Sequence, residues 1–187
     1  MSPKPVFDLQ GKTIWISGET GMVGRAILRQ LKNENCEIFS APHSALDLTD
    51  QAQTYEWILT HQPDVIIMAA AKVGGIRANS SAPADFLYEN AMITQNVIHG
   101  AFQAKVGKLL YLGSSCIYPK YAQQPIKEEA LLTGALEPTN EGYALAKILG
   151  VKLCQFYRQQ YSCDFISVMP TNLYGSYDYF NAEKSHV

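Results

Sequence analysis

Three glycines at equal spacing, Gly18, Gly21 and Gly24, follow directly on the apolar run Thr13-Ile-Trp-Ile-Ser17 and lead into a stretch with helical periodicity. That context restricts the fold more than any other feature of the chain. A strand reaches a helix through so short a turn only if the first residue tolerates a left-handed backbone and the last lets the helix pack close to the sheet. The motif is therefore expected to open a βαβ unit. Further strand-like runs at residues 37–40, 65–71, 108–113 and 165–170 are separated by longer amphipathic stretches. Strands alternating with helices predict an α/β fold with a doubly wound parallel sheet, one domain over residues 1–187.

The first helix is expected through residues 25–32, with Ala26, Ile27 and Leu31 as its buried stripe, and a second near 51–61, stopped by Pro63. Two longer helices, 84–105 and 141–161, carry more apolar face than one sheet surface needs. They are expected either to pair two copies of the chain into a homodimer or to bury that face within one chain. Residues 118–140 hold Pro119, Pro125, Gly134 and Pro138 and read as loop, with a short helix at 128–132.

Composition narrows the partner. At 47% hydrophobic and 17% charged, with a net charge of -2 and no basic stripe, the chain is an ordinary globular protein rather than a binder of nucleic acid or anionic membrane. No apolar segment reaches signal-peptide or membrane-span length, which points to the cytoplasm. Cys36, Cys116, Cys154 and Cys163 show no paired spacing, so neither a disulfide frame nor a metal site is expected. A small molecule is the expected ligand.

The glycine turn suggests which one. In a Rossmann-type unit the turn brings backbone close to a pyrophosphate, and the helix N-terminus faces the phosphates. Gly18, Thr20, Gly21, Met22, Val23 and Gly24 are thus expected to bind a dinucleotide. An acid or an arginine normally ends the second strand, meeting the ribose of NAD or the extra phosphate of NADP. Here only His43 and Ser44 are polar there, and Glu19 puts a negative charge in the turn. Asp47, next to Leu48, either accepts from the adenine amino group or belongs to a helix N-cap.

Tyr143 and Lys147 stand four apart in Glu141-Gly-Tyr-Ala-Leu-Ala-Lys147. On a helix they share a face, so the ammonium is expected to lie beside the phenol and lower its pKa. A phenol so placed exchanges a proton with a carbonyl. Gly113-Ser-Ser-Cys116 follows the fourth strand and supplies hydroxyls and a thiol.

The strings Ala69-Ala-Ala-Lys-Val-Gly-Gly-Ile76, Leu112-Gly-Ser-Ser-Cys-Ile-Tyr-Pro-Lys120, Glu137-Pro-Thr-Asn140, Tyr143-Ala-Leu-Ala-Lys147 and Val168-Met-Pro-Thr-Asn-Leu-Tyr-Gly175 together resemble the GDP-L-fucose synthases. These are 3,5-epimerase/4-reductases of GDP-4-keto-6-deoxy-mannose within the extended short-chain dehydrogenases/reductases. The resemblance implies a nucleotide-sugar substrate and NADP(H). It implies Cys116 as base and His186 as acid at C3 and C5, with Ser114 and Tyr143 on the C4 oxygen. Lys147 is implied to hold the nicotinamide ribose, and a thiol of lowered pKa to suit Cys116. By the same resemblance Leu112, Gly113 and Ser115 line the coenzyme cleft, Pro170, Thr171, Asn172 and Leu173 border the nicotinamide, and His186 lies near it. Lys72, Val73 and Gly74 are implied to lie near the substrate.

Thr20 and His43 stand where the family offers arginines to the NADP phosphate, which leaves NAD(H) open. Members of the family are longer, and their second half supplies most contacts to the nucleotide sugar. The chain is accordingly expected to lack most of that substrate domain, to turn over poorly and to expose apolar surface. Another nucleotide-sugar epimerase of the extended family, or a dinucleotide-binding module without turnover, are the alternative readings.

Overall fold

The computed structural model describes residues 7–178. Five strands, β1 (Thr13–Ser17), β2 (Glu37–Phe39), β3 (Val65–Met68), β4 (Lys108–Leu112) and β5 (Phe165–Val168), form one parallel sheet in the order β2-β1-β3-β4-β5. The helices are α1 (Met22–Leu31), α2 (Gln51–His61), α3 (Ile76–Ser81), α4 (Pro83–Gln103) and α5 (Glu141–Tyr161). From β1 the chain steps one way to β2 and then crosses back to β3 on the other side. This reversal opens a crevice beyond the carboxyl ends of β1 and β3, the place where doubly wound sheets receive ligands.

Alternation along the strands splits the core in two. Ile14, Ile16 and Val65 face one way, and Leu31, Ile27 and Leu28 of α1 cover them. Trp15, Ile66, Met68, Leu109, Tyr111 and Phe165 face the other, under Ile58 of α2, Val97, Ile98 and Ala101 of α4 and Cys154 of α5. Helices on both faces match the doubly wound reading. The stripe expected at Ala26 falls instead on Leu28, because the packed face runs through positions 24, 27, 28 and 31.

Local signals set the helix ends. Asp50 caps α2 by accepting from the Gln53 N–H at 3.0 Å, and Gln62, with φ of 41°, turns the chain out just before Pro63. Pro83 opens α4, where its missing N–H is harmless, and Ser162 ends α5 with φ of 59°. Gly150 lets α5 lie on the buried Tyr111 ring, since a Cβ there would stand 2.2 Å from Tyr111 Cζ. The helix expected at 128–132 is a single 3-10 turn, Glu128–Ala130. The sheet ladder also stops short of Ala71, Gly113 and Pro170, where the chain bends away to build loops over the crevice.

Cover is uneven. On the α1 side, β5 leaves Ile166 36% and Val168 42% exposed. No helix among the described residues is long and apolar enough to cross a membrane.

Candidate active site

The glycine turn has the conformation its spacing implies. Gly18 has φ of +81°, and a Cβ on it would meet the Ala70 nitrogen at 2.6 Å, so the turn is held against the loop that leaves β3. At Gly24 a Cβ would lie 2.2 Å from the Gly18 carbonyl oxygen. Both glycines are fixed by the protein's own packing. Gly21 is not, since its Cβ would touch only the Gly18 oxygen at 3.5 Å, an ordinary contact. It caps α1 with no side-chain hydrogen bond, leaving the first amides of the helix to face the crevice with Met22 and Val23. A bare backbone surface at an uncapped helix N-terminus suits a pyrophosphate.

Beyond β2, Asp47 lies in the N-cap region of α2, three residues before Asp50, which is the cap itself. One oxygen of Asp47 accepts from Thr49 N–H at 2.9 Å and Thr49 Oγ1 at 2.7 Å. Those bonds hold its carboxyl below the usual range, and the neighbouring His43 adds a small pull. His43 itself is exposed, as are Thr20 and Gly21. Leu48 is half-buried, and its carbonyl accepts from Asn96 at 2.9 Å.

Ser114, Cys116, Tyr143 and Lys147 gather at the ends of β4 and β5 and the start of α5. Gly113 N–H donates to Val168 O at 2.8 Å and Ser115 N–H to Pro170 O at 3.2 Å, which zips the two loops together. Ser114 Oγ accepts from Cys116 N–H at 3.4 Å. Lys147 is 5% exposed, donates to the Leu112 carbonyl at 2.7 Å, and lies 5.6 Å from the Tyr143 ring centre and 5.0 Å from that of Tyr111. A cavity of about 490 Å³ opens at Ser115, bordered also by Tyr118, Glu128, Val168 and Thr171, and none of Ser114, Cys116, Tyr143 and Lys147 lines it. Asn172 and Leu173 are exposed just beyond it. His186 lies outside the described residues.

Electrostatics correct two expectations. Burial pushes the Tyr143 phenol well above its ordinary range, with the nearby Cys116 acting in the same direction, so the ammonium does not lower it here. Burial likewise pushes the Cys116 thiol up, against opposing pulls from the Ser114 hydroxyl and the Lys147 ammonium. Lys147 in turn is held down to about 8 by burial. Desolvation outweighs pairing because all three groups are enclosed before any ligand adds its own charge.

Sequence reasoning missed Tyr111, which floors the site, and three buried amides. Asn79 Nδ2 donates to the Gly74 and Gly75 carbonyls, Asn90 holds the backbone of Lys72, and Asn96 holds Leu48 and Thr49. For Asn90 and Asn96, amides on the largely apolar buried stripe of α4 were the available signal; Asn79, on the short α3, had none.

The model of the NAD dependent epimerase/dehydratase family matches residues 14–187. The chain belongs to that family. Among the chain's curated relatives, a GDP-L-fucose synthase of Sinorhizobium fredii is 60% identical over 98% of this chain and 58% of its own length. The GDP-L-fucose synthase of Escherichia coli is 53% identical over 93% of this chain and 54% of its own. A GDP-L-fucose synthetase from Naegleria fowleri, solved with NADP bound, superposes with a TM-score of 0.87 at 29% identity, over 100% of this chain and 58% of that one. The chain therefore spans about half the length of the curated relatives it matches.

Proposed function

We propose that this chain carries the coenzyme-binding and proton-transfer half of a GDP-L-fucose synthase, which converts GDP-4-keto-6-deoxy-mannose to GDP-L-fucose with NADPH. The observation that carries the reading is the enclosure of Tyr143, Lys147, Ser114 and Cys116 at the end of a crevice whose glycine turn leaves room for a pyrophosphate. The alternative coenzyme is NADH, because neither Thr20 nor His43 brings a permanent cation to the adenosine end.

A C4 ketone acidifies the hydrogens at C3 and C5. Cys116, as thiolate, takes such a hydrogen while Ser114 and Tyr143 donate to the C4 oxygen and hold the charge of the enolate. Return of a proton to the opposite face inverts the carbon, a role assigned to His186. The bound coenzyme then supplies hydride to C4. Tyr143 gives the C4 oxygen its proton, a task that suits a phenol kept protonated across neutral pH by burial. Lys147 donates to the Leu112 carbonyl at 2.7 Å, and the reading assigns its ammonium to a ribose hydroxyl of the coenzyme. Remote contacts to the nucleotide set the position of the sugar, so turnover by these residues alone is expected to be slow. The paired faces of α4 and α5, with Leu87, Leu145 and Phe156 exposed, support a homodimer.

The test is incubation with GDP-4-keto-6-deoxy-mannose and NADPH in D₂O, followed by mass spectrometry of the sugar. GDP-fucose carrying solvent deuterium is the expected product. Deuterium without reduction would restrict the chain to epimerisation, and unaltered substrate with coenzyme bound would leave a binding module. Full turnover by Cys116→Ser would favour a 4-epimerase, which needs no thiol there.

A further inference from the structure

Two amides of α4 are spent on loops. Asn90, 2% exposed, accepts from the Lys72 N–H at 2.8 Å through Oδ1 and donates to the Lys72 carbonyl at 3.0 Å through Nδ2. One side chain thus takes both backbone bonds of Lys72, as a neighbouring strand would. Asn96, 1% exposed, donates to the Leu48 carbonyl at 2.9 Å and the Thr49 carbonyl at 3.1 Å. Leucine at either position would pack against the apolar core around it. Burying an amide there costs free energy unless its bonds are made, and apart from the Asn90 Nδ2 bond to the Phe86 carbonyl of its own helix at 2.8 Å those bonds go to the loops.

The two loops matter because of where they lie. They leave the carboxyl ends of β2 and β3, the strands on either side of β1, and so form the two walls of the crevice. The Lys72 loop presses on the phosphate turn at Gly18. The Leu48 loop carries Asp47 at the adenosine end. The Leu48 loop lies beyond the β1–β2 register, and the Lys72 loop is tied to β1 at its first residue, where Ala69 N–H donates to Ser17 O at 3.0 Å, so the ladder does not reach Lys72 itself. Asn90 and Asn96 stand six residues apart, about 9 Å along one rigid helix.

We propose that Asn96 and Asn90 are positioning residues for the dinucleotide, Asn96 setting the adenosine wall and Asn90 the wall beside the phosphate turn, with α4 as the common frame. The inference rests on the dinucleotide reading above. It assigns neither residue a contact with the ligand.

The experiment uses the 187-residue chain with Asn90→Leu and Asn96→Leu, and with Asn90→Ser and Asn96→Ser as smaller changes should the leucine variants not fold. Hydrogen exchange is followed without ligand over residues 47–50 and 69–76. Affinity is measured for NADPH, for NADH and for adenosine 2′,5′-bisphosphate, which probes the adenosine end alone. Loss of Asn96 is expected to speed exchange only in 47–50 and to raise Kd roughly tenfold for every probe. Loss of Asn90 is expected to speed exchange only in 69–76 and to raise Kd roughly tenfold for the dinucleotides, leaving the bisphosphate unchanged. A merely structural role would lower affinity for all probes alike in both variants, and that result, or parental affinity in both, overturns the proposal. A parent chain that binds neither dinucleotide overturns the functional reading, and the proposal with it.

Discussion

Lys147 is the residue in which fold and chemistry pull hardest against each other. Its ammonium is enclosed by Tyr111, Tyr143 and the end of β4, and burial brings its folded value to about 8, below the ordinary lysine value of about 10.4. Between those values the unfolded chain binds more protons than the folded one, so stability rises with pH there, with a slope of up to about 1.4 kcal/mol per unit. Below about 8 both states hold the proton and the full penalty is present. Lys147→Met is therefore expected to lose this slope. Measured by urea unfolding at a series of pH values, the stability difference should move in favour of the parent chain as pH rises from 8 towards 10, and parallel curves would show that the ammonium is not desolvated. The Tyr143 and Lys147 spacing was legible because i and i+4 share a helix face. Its electrostatic consequence was not, because the enclosing ring of Tyr111 comes from a strand more than thirty residues earlier.

Among the elements, the strand-turn-helix at β1 and α1 separates packing from ligand binding within one motif. Gly24→Ala puts a methyl 2.2 Å from the Gly18 carbonyl oxygen and 2.7 Å from Glu19 Cα, so α1 must move off the turn. The expected cost is about 1–3 kcal/mol or more. Gly21→Ala meets only an ordinary contact at 3.5 Å and is expected to leave the thermal midpoint within a few degrees. Its methyl instead occupies the approach to the first helical amides, so coenzyme affinity should fall by tenfold or more. Calorimetry and a coenzyme titration on the two variants check this, and equal loss of stability in both would deny Gly21 a ligand role. The same element shows what a sequence exposes. Helix ends at Asp50, Pro63 and Pro83 are written in single residues with local effects. The six residues of α3 are too few to show a period, and the 3-10 turn at Glu128–Ala130 gained no covering surface that would extend it into a helix.

At the scale of the whole molecule, two exposed apolar surfaces bear on the proposed homodimer. On α4 and α5, Leu87, Leu145 and Phe156 are 37%, 42% and 53% exposed, and Leu145 and Phe156 lie three turns apart on one face of α5. A self-complementary helix pair closes on itself and stops at two copies. On the α1 side of the sheet, Ile166 and Val168 of β5 are exposed, and among the described residues β5 is also an edge strand, with one side of its backbone unpaired. Apolar surface beside an open edge invites association without a fixed end point. The double variant Ile166→Thr/Val168→Thr keeps branched side chains suited to a strand and is expected to retain the fold. It should bind less of a hydrophobic dye and lose its concentration-dependent growth in light scattering, leaving a discrete dimer. Leu145→Glu/Phe156→Glu should instead remove the dimer and leave dye binding at β5 intact. If the threonine variant still grows with concentration while the glutamate variant does not, association runs through the helices alone and the β5 face is covered within the chain.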